Sequence, residues 1–366
     1  MKKILTVFGT RPEAIKMCPL VIELKKRKCF ETYVCLTGQH KEMVDPILEF
    51  FGIDPDYNLD IMLENQTLFD ISSRTTERLR IILNELKPDA VAVHGDTTTA
   101  YAAALCAFYL NIPVIHIEAG LRTYDVMSPF PEEFNRVAID KISKFCFAPT
   151  TSAEQNLIRE GKNKSEIFVV GNTAIDALKY TADPTYESDL LNKAKGYRLI
   201  TVTAHRRENL GDPMKEMFGA ITDIVEKYDD IFVIYPVHKN PIVRKAAYEY
   251  LGKQDRIILT EPMDTVEFHS TLAKSYLTLT DSGGIQEEAP SMGCPVVVMR
   301  NTTERPEAIE AGTAVLAGTE RKSIFNVVSR ILDNSDLHNQ MKSAKNPFGD
   351  GKSSIKISDI LEKHFI

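Results

Sequence analysis

The 366-residue chain has no tryptophan and only six cysteines: Cys18, Cys29, Cys35, Cys106, Cys146 and Cys294. None forms a C-x-x-C pair, and several lie inside apolar runs. That pattern reads as buried free thiols, and it excludes a disulfide framework or a paired-cysteine metal site. No apolar stretch approaches the 18 residues of a membrane-spanning helix. The first residues, 1–9, superficially resemble a signal start, but Arg11, Glu13 and Lys16 follow too closely. They read as a first strand, and a cytoplasmic location is the expectation. A net charge of −7 excludes a basic nucleic-acid footprint at chain level. HExxH, acidic ladders and G-x-G-x-x-G are all missing. Metal binding therefore has no support, and redox chemistry through a dinucleotide has little. No cofactor is expected.

What is present is a globular composition, 43% hydrophobic and 26% charged, on a length suited to two domains. Short β-rich runs alternate with helical patterns. Candidate strands cover 4–8, 33–37, 90–94, 114–117, 145–148 and 167–170, then 199–203, 232–236, 257–259, 276–280, 295–299 and 314–316. Helical patterns fill the gaps, for example 43–51, 68–86, 98–109 and 213–227. This alternation implies crossover connections and parallel sheets. The fold class expected is α/β, with two doubly wound Rossmann-like domains facing a cleft. The break falls between Gly171 and Gly196, so the domains are placed at 1–172 and 173–352. The turn-rich segment 346–352 precedes an amphipathic helix that is positioned to cross back onto the first domain.

Doubly wound sheets bind ligands at the carboxyl ends of their strands. Asp281-Ser282-Gly283-Gly284 joins a strand to a helix. Two glycines let a diphosphate approach the backbone, and Ser282 adds a hydroxyl. An ordinary turn with Ser282 as N-cap is the competing explanation. Glu288, a turn further on, is suited to accept from ribose hydroxyls. Arg11 and Lys16 follow the first strand, where they suit phosphate charge or simply a solvated helix start. Asp96 and Glu118 each follow a buried strand, and Glu132 and Glu133 open a helix. Carboxylates converging on one cleft suit proton transfer; N-cap duty for Asp96 and dipole compensation for Glu132 and Glu133 are the alternatives. His205 follows a strand beside Arg206 and Arg207, a place for phosphate or a leaving-group oxygen.

Taken in order, these segments resemble one family over essentially the whole chain. The residues that carry it are Gly9-Thr10-Arg11-Pro12-Glu13-Ala14-Ile15-Lys16, His94-Gly95-Asp96-Thr97-Thr98-Thr99, Glu118-Ala119-Gly120-Leu121-Arg122-Thr123 and Pro131-Glu132-Glu133. Thr203-Ala204-His205-Arg206-Arg207-Glu208-Asn209, Asp281-Ser282-Gly283-Gly284, Thr303-Glu304-Arg305-Pro306-Glu307 and Asn346-Pro347-Phe348-Gly349-Asp350-Gly351 complete it. The chain resembles the bacterial-type non-hydrolysing UDP-N-acetylglucosamine 2-epimerases. The resemblance implies a glycosyltransferase-B-like fold, with helix 353–366 joining the first domain. It also implies a cytoplasmic homodimer that acts on UDP-N-acetylglucosamine for cell-surface polysaccharide.

The implied reaction interconverts that sugar nucleotide and UDP-N-acetylmannosamine, by elimination of UDP to a 2-acetamidoglucal and re-addition. Asp96, Glu118 and Glu132 become the acid/base candidates, with His205 near the glycosidic oxygen or phosphate. Arg11, Lys16, Ser282, Gly283, Gly284, Glu288 and Arg305 would hold UDP, with Phe268 near the uracil. Some members carry a second, allosteric sugar-nucleotide site. Gln39, Glu132, Arg206 and His238 match that set, whereas Glu42 replaces a glutamine and Asn65 stands where arginine is common. Weakened or absent activation is the expectation. A hydrolysing 2-epimerase, a glycosyltransferase of the same fold and a non-catalytic nucleotide-sugar sensor are the rivals.

Overall fold

A computed structural model describes residues 1–39 and 41–365, without the side chains of Lys41 and Glu42. The chain forms two compact units, Met1–Ala177 with Phe348–Ile366, and Leu178–Pro347. Helix Thr173–Thr181 carries the chain from one to the other. Among the described residues, no helix is long and apolar enough to cross a membrane.

The first unit is built on strands β1 Lys2–Phe8, β2 Phe30–Leu36, β3 Tyr57–Asn58, β4 Ala90–His94, β5 Val114–Ile117, β6 Phe145–Ala148 and β7 Ile167–Val169. They form one parallel sheet in the order β3-β2-β1-β4-β5-β6-β7. Six of these strands coincide with apolar β-rich runs in the sequence. β3 does not, since two residues carry no readable period. Ile4, Phe8, Val34, Ala92 and Ile117 point to one face, where Met17, Leu20 and Leu24 of helix Arg11–Lys26 cover them. Leu5, Val7, Val91 and Val93 point to the other, beneath Leu79 and Leu83 of helix Leu68–Leu86. Burial on both faces explains why these strands are almost continuously apolar. The last helix, Ser353–Phe365, packs on the same unit through Ile357 and Leu361.

The second unit has strands β8 Arg198–Thr203, β9 Ile231–Pro236, β10 Ile257–Thr260, β11 Leu277–Thr280, β12 Val296–Val298 and β13 Ala314–Leu316. Their order is β10-β9-β8-β11-β12-β13, again parallel throughout. Its core joins Ile200, Val202, Val233, Tyr235 and Leu279 to Met217, Phe218, Ile221 and Ile224 of helix Asp212–Lys227.

Both sheets reverse strand order once, between β1 and β4 and between β8 and β11. Where neighbouring crossovers diverge to opposite faces, the loops leave a crevice at the strands' carboxyl ends. Arg11 and Lys16 follow β1, and Asp96 follows β4. His205 follows β8, and Ser282 follows β11. Each pair of loops therefore flanks one switch point.

Candidate active site

In the first unit, Thr10 caps helix Arg11–Lys26 and Glu13 closes a capping box. Glu13 does more than cap. Its buried carboxylate accepts from Gly9 N (3.0 Å) and Thr10 N (2.8 Å), and from Thr97 Oγ1 (2.7 Å) on the loop after β4. Burial raises its pKa against these bonds. The β1 and β4 loops are thereby pinned together. Asp96 is not the N-cap of the next helix; Thr97 is, accepting from Ala100 N. The Asp96 carboxylate instead pairs with Arg136, which also reaches Glu133 at 3.3 Å. Glu133 is buried and accepts from Thr123 N and Tyr124 N, so it shapes the loop before its helix. Glu132 is half-buried in the first turn of helix Glu132–Ile142.

Glu118 sits at φ +66°, a left-handed conformation that costs a non-glycine residue on the order of 1 kcal/mol or more. Its Oε2 receives Lys16 Nζ at 2.5 Å and Asn172 Nδ2 at 2.9 Å, with His94 Nε2 at 3.8 Å. A Cβ built on Gly95 would lie 3.7 Å from Glu118 Oε1, so this carboxylate stands against the backbone that leads into Asp96. His94 is buried with Nε2 lacking a hydrogen-bond partner, and burial lowers its pKa to about 3. Its ring is neutral beside the ion pair. Arg11 is exposed at the start of its helix.

In the second unit, Asp281 is fully buried and accepts from His205 N, Arg206 N and Asn209 Nδ2. It therefore fixes the loop after β8 against the loop after β11. His205 Nδ1 lies 3.6 Å from Asp281, and its ring stacks on His238 at 5.3 Å and 15°. Burial, with His238 and Arg206 adding to it, lowers the His205 pKa below its ordinary value against the opposing pull of Asp281. The imidazole is neutral at pH 7. Ser282 occupies the N-cap position of helix Gly283–Glu288, but its side chain makes no capping bond. The ordinary-cap explanation of that serine is thus not what the structure has. A Cβ on Gly283 would lie 3.7 Å from Arg206 Nη2 and from the Arg305 guanidinium. A six-residue helix has a small dipole, so the anion-attracting charge here comes chiefly from these two arginines. Arg305 is itself anchored on Glu287. Glu288 Oε2 lies 3.4 Å from His269 Nε2, whose Nδ1 meets Thr181 Oγ1 at 2.7 Å. Phe268 is half-buried one residue before that histidine.

Known proteins resemble this chain along nearly its whole length. A sequence profile described as UDP-N-acetylglucosamine 2-epimerase matches residues 22–362. The chain is 51% identical over 363 residues to the UDP-N-acetylglucosamine 2-epimerase of Bacillus subtilis (strain 168), covering 99% of this chain and 96% of that protein. The chain belongs to the UDP-N-acetylglucosamine 2-epimerase family.

Solved structures agree. A Listeria monocytogenes protein carrying the same family name superposes with a TM-score of 0.96 at 49% identity, covering 100% of this chain and 97% of that one. The UDP-GlcNAc 2-epimerase from Neisseria meningitidis, solved bound to UDP-GlcNAc, gives 0.88 at 43% identity, covering 99% of this chain and 100% of that one. For a member of this epimerase family, several residues matter that the sequence did not single out. Glu13 was signalled by its T-x-x-E spacing from Thr10. Asn172 and Asp140 gave no sign, because they bond Glu118 and His116, 54 and 24 residues away, and nothing signalled the bond of Arg136 to Asp96, 40 residues away. Asp281 was read only as part of its turn, not as the acceptor for His205 N, 76 residues away.

Of the residues expected from the sequence at an allosteric site, Gln39 accepts from Thr99 Oγ1 at 3.3 Å, and His238 Nδ1 accepts from Asn240 N at 3.1 Å. Arg206 flanks Gly283. Asn65 is exposed at φ +57°, a backbone that asparagine tolerates better than arginine does. The Glu42 side chain lies outside the described residues. Among the described residues, no group of three or more His, Cys, Asp or Glu is placed to hold a metal ion. All six cysteines are free, and five of them are buried.

Proposed function

We propose that the chain interconverts UDP-N-acetylglucosamine and UDP-N-acetylmannosamine without releasing free sugar. In the forward direction, the C1–O bond breaks and UDP leaves with the bonding pair. The C2 proton passes to a carboxylate, leaving a 2-acetamidoglucal. Reprotonation of C2 on the opposite face and return of the UDP oxygen to C1 complete the epimer. Asp96, Glu118 and Glu132 carry the acid/base work. We assign no single base, because neighbouring carboxylates titrate as a group. His205, neutral at pH 7, donates to the departing oxygen. Arg11, Lys16, Ser282, Gly283, Gly284, Glu288 and Arg305 hold UDP, and Phe268 lies against the uracil.

The observation that carries this reading is the arginine-flanked Gly283 turn with an uncapping Ser282, in a family whose Neisseria member was solved with UDP-GlcNAc. Such a turn can retain UDP once the C1–O bond has broken. The division of labour between an N-terminal domain with the carboxylates and a C-terminal UDP domain belongs to the same proposal. So do a cytoplasmic location, a role in cell-surface polysaccharide supply and a homodimer. Exposed Phe69, Ile81, Phe108 and Tyr109 on two neighbouring helices support the dimer. Activation by UDP-N-acetylglucosamine is proposed to be weak, given Glu42 and Asn65. UDP-N-acetylmannosamine alone should then be consumed hyperbolically, and a strict need for added UDP-N-acetylglucosamine would sink that point.

Incubation with UDP-N-acetylglucosamine in D2O, followed by proton NMR, tests the reaction. The expected product is UDP-N-acetylmannosamine carrying deuterium at C2. Free N-acetylmannosamine would instead identify hydrolysis. Unchanged substrate would leave a transferase or a sensor.

A further inference from the structure

Behind the carboxylates lies a polar group that the reaction scheme does not use. His116 in β5 is fully buried, and so is Asp140 in helix Glu132–Ile142. His116 Nδ1 lies 2.6 Å from Asp140 Oδ1, and His116 Nε2 lies 2.7 Å from the Gly95 carbonyl oxygen. A carbonyl only accepts, so Nε2 carries a proton and donates it there. The other Asp140 oxygen accepts from Gly120 N at 3.1 Å and pairs with Arg122 Nη2 at 2.8 Å. Arg122 is anchored in turn on Glu160. Burial alone would raise the Asp140 pKa, but His116 and Arg122 together hold it below its ordinary value.

Two of these bonds end on the backbone of loops that carry candidate acids, at Gly95 O and Gly120 N. Gly95, at φ +62°, directly precedes Asp96. Gly120 is two residues after Glu118, whose left-handed φ persists only if its surroundings over-determine it. Asp140 stands about two turns along the helix that Glu132 begins. One buried node thus ties together the three places from which the acids project. Replacing a buried ion pair by apolar packing is often neutral or stabilising, so stability alone does not account for it.

We propose that His116 and Asp140 are positioning residues for proton transfer at C2: the His116 imidazole aims the Gly95–Asp96 peptide, and Asp140 holds the Glu118 loop and the Glu132 helix in register with it. This rests on the reaction proposed above and adds to it. Neither side chain touches substrate. A displacement of about 1 Å at a reacting group can cost about 10²-fold in rate, so the effect belongs in kcat rather than in UDP binding.

Two isosteric variants separate the two arms of the imidazole. In His116→Gln the amide nitrogen reaches the position of Nε2 and keeps the Gly95 bond. In His116→Asn it reaches the position of Nδ1, keeping Asp140 and losing Gly95. Wild-type C2 deuterium exchange is measured first; its absence would fail the proposed reaction, not this inference. With exchange established, His116→Asn is expected to lose about 10²-fold in kcat. UDP affinity by calorimetry should stay within about threefold, and His116→Gln should recover most of the rate. A folded His116→Asn with near wild-type kcat would overturn the proposal. So would Gln and Asn variants that lose rate, UDP affinity and thermal stability in parallel, since that is the signature of a general core defect. Should His116→Asn fail to fold, His116→Gln carries the test alone: a folded Gln variant that recovers no more than about 1% of kcat overturns it, and recovery of most of the rate sustains it.

Discussion

At the residue scale, burial separates the side chains proposed to work on ligand from those that work on the protein. Asp96 and Glu118 are partly accessible and held by cations, whereas Glu13, Asp140 and Asp281 are buried and bonded to backbone N–H groups. Asp96→Asn should therefore fold, because Arg136 retains Glu133 as a partner, yet lose most turnover. Near-normal turnover in the D2O assay would remove Asp96 from the acid/base set. His94 makes a different prediction. Its pKa is about 3 in the folded protein and near 6.5 when unfolded. Between those values the unfolded chain binds the extra proton, so stability falls as pH drops from 6.5 toward 3. From pH 7 to pH 5 this one group is worth about 2 kcal/mol at most. Urea unfolding of His94→Asn should show a correspondingly shallower loss over that interval than the wild type. Parallel pH dependences would mean that the buried imidazole accepts its proton without penalty.

At the scale of single elements, the two kinds of glycine turn respond oppositely to a methyl group. Gly120 has φ +86°, and a Cβ there would lie 2.3 Å from the Ala153 carbonyl oxygen. Gly120→Ala should cost about 2 kcal/mol or more, read as a lower unfolding midpoint. Gly283 has no such conflict; its nearest neighbours would be guanidinium atoms at 3.7 Å. Gly283→Ala should leave the midpoint unchanged and weaken UDP binding by about tenfold, the scale of one charge-assisted hydrogen bond. Unaltered UDP affinity by calorimetry would show that the turn is only a turn. The same contrast marks what the sequence could and could not disclose. Strand-turn-helix runs such as Thr278–Glu288 are written locally, in apolar β-formers, paired glycines and a following helix pattern. So is the Thr10–Glu13 capping box. Which acid serves ligand and which serves backbone is not local. Glu132 and Glu133 are adjacent and alike in sequence, and only the fold turns one into the Thr123–Tyr124 loop. His116 and Asp140 lie 24 residues apart on a strand and a helix, with no periodicity to join them. The two-residue β3 was missed for want of length.

At the scale of the whole molecule, each unit owns a sheet, but the first is completed by the end of the chain. Asn172 N donates to Phe348 O at 2.6 Å, and Asp176 accepts from Ser353 N and Ser354 N at the start of the last helix. Arg27 pairs with Asp359 and Glu362, and Phe30 meets Phe365 edge-on at 6.5 Å. Phe348, Ile357 and Leu361 are all but fully buried. At about 1.5–3 kcal/mol for each fully buried large apolar side chain, these three residues alone rival the net stability of a domain. The Leu178–Pro347 unit has its own core, built among the described residues from its own strands and helices. A chain ending after Pro347 should therefore keep a protease-resistant second unit and lose protection over 1–177. Limited proteolysis with mass spectrometry would read this as a surviving fragment near 178–347. Carboxylate chemistry should vanish with the first unit, while UDP binding, measured by calorimetry, should persist in part on the arginine-flanked turn. Equal protection of both units in the truncated chain would mean that the last helix rests on the first sheet without holding it together.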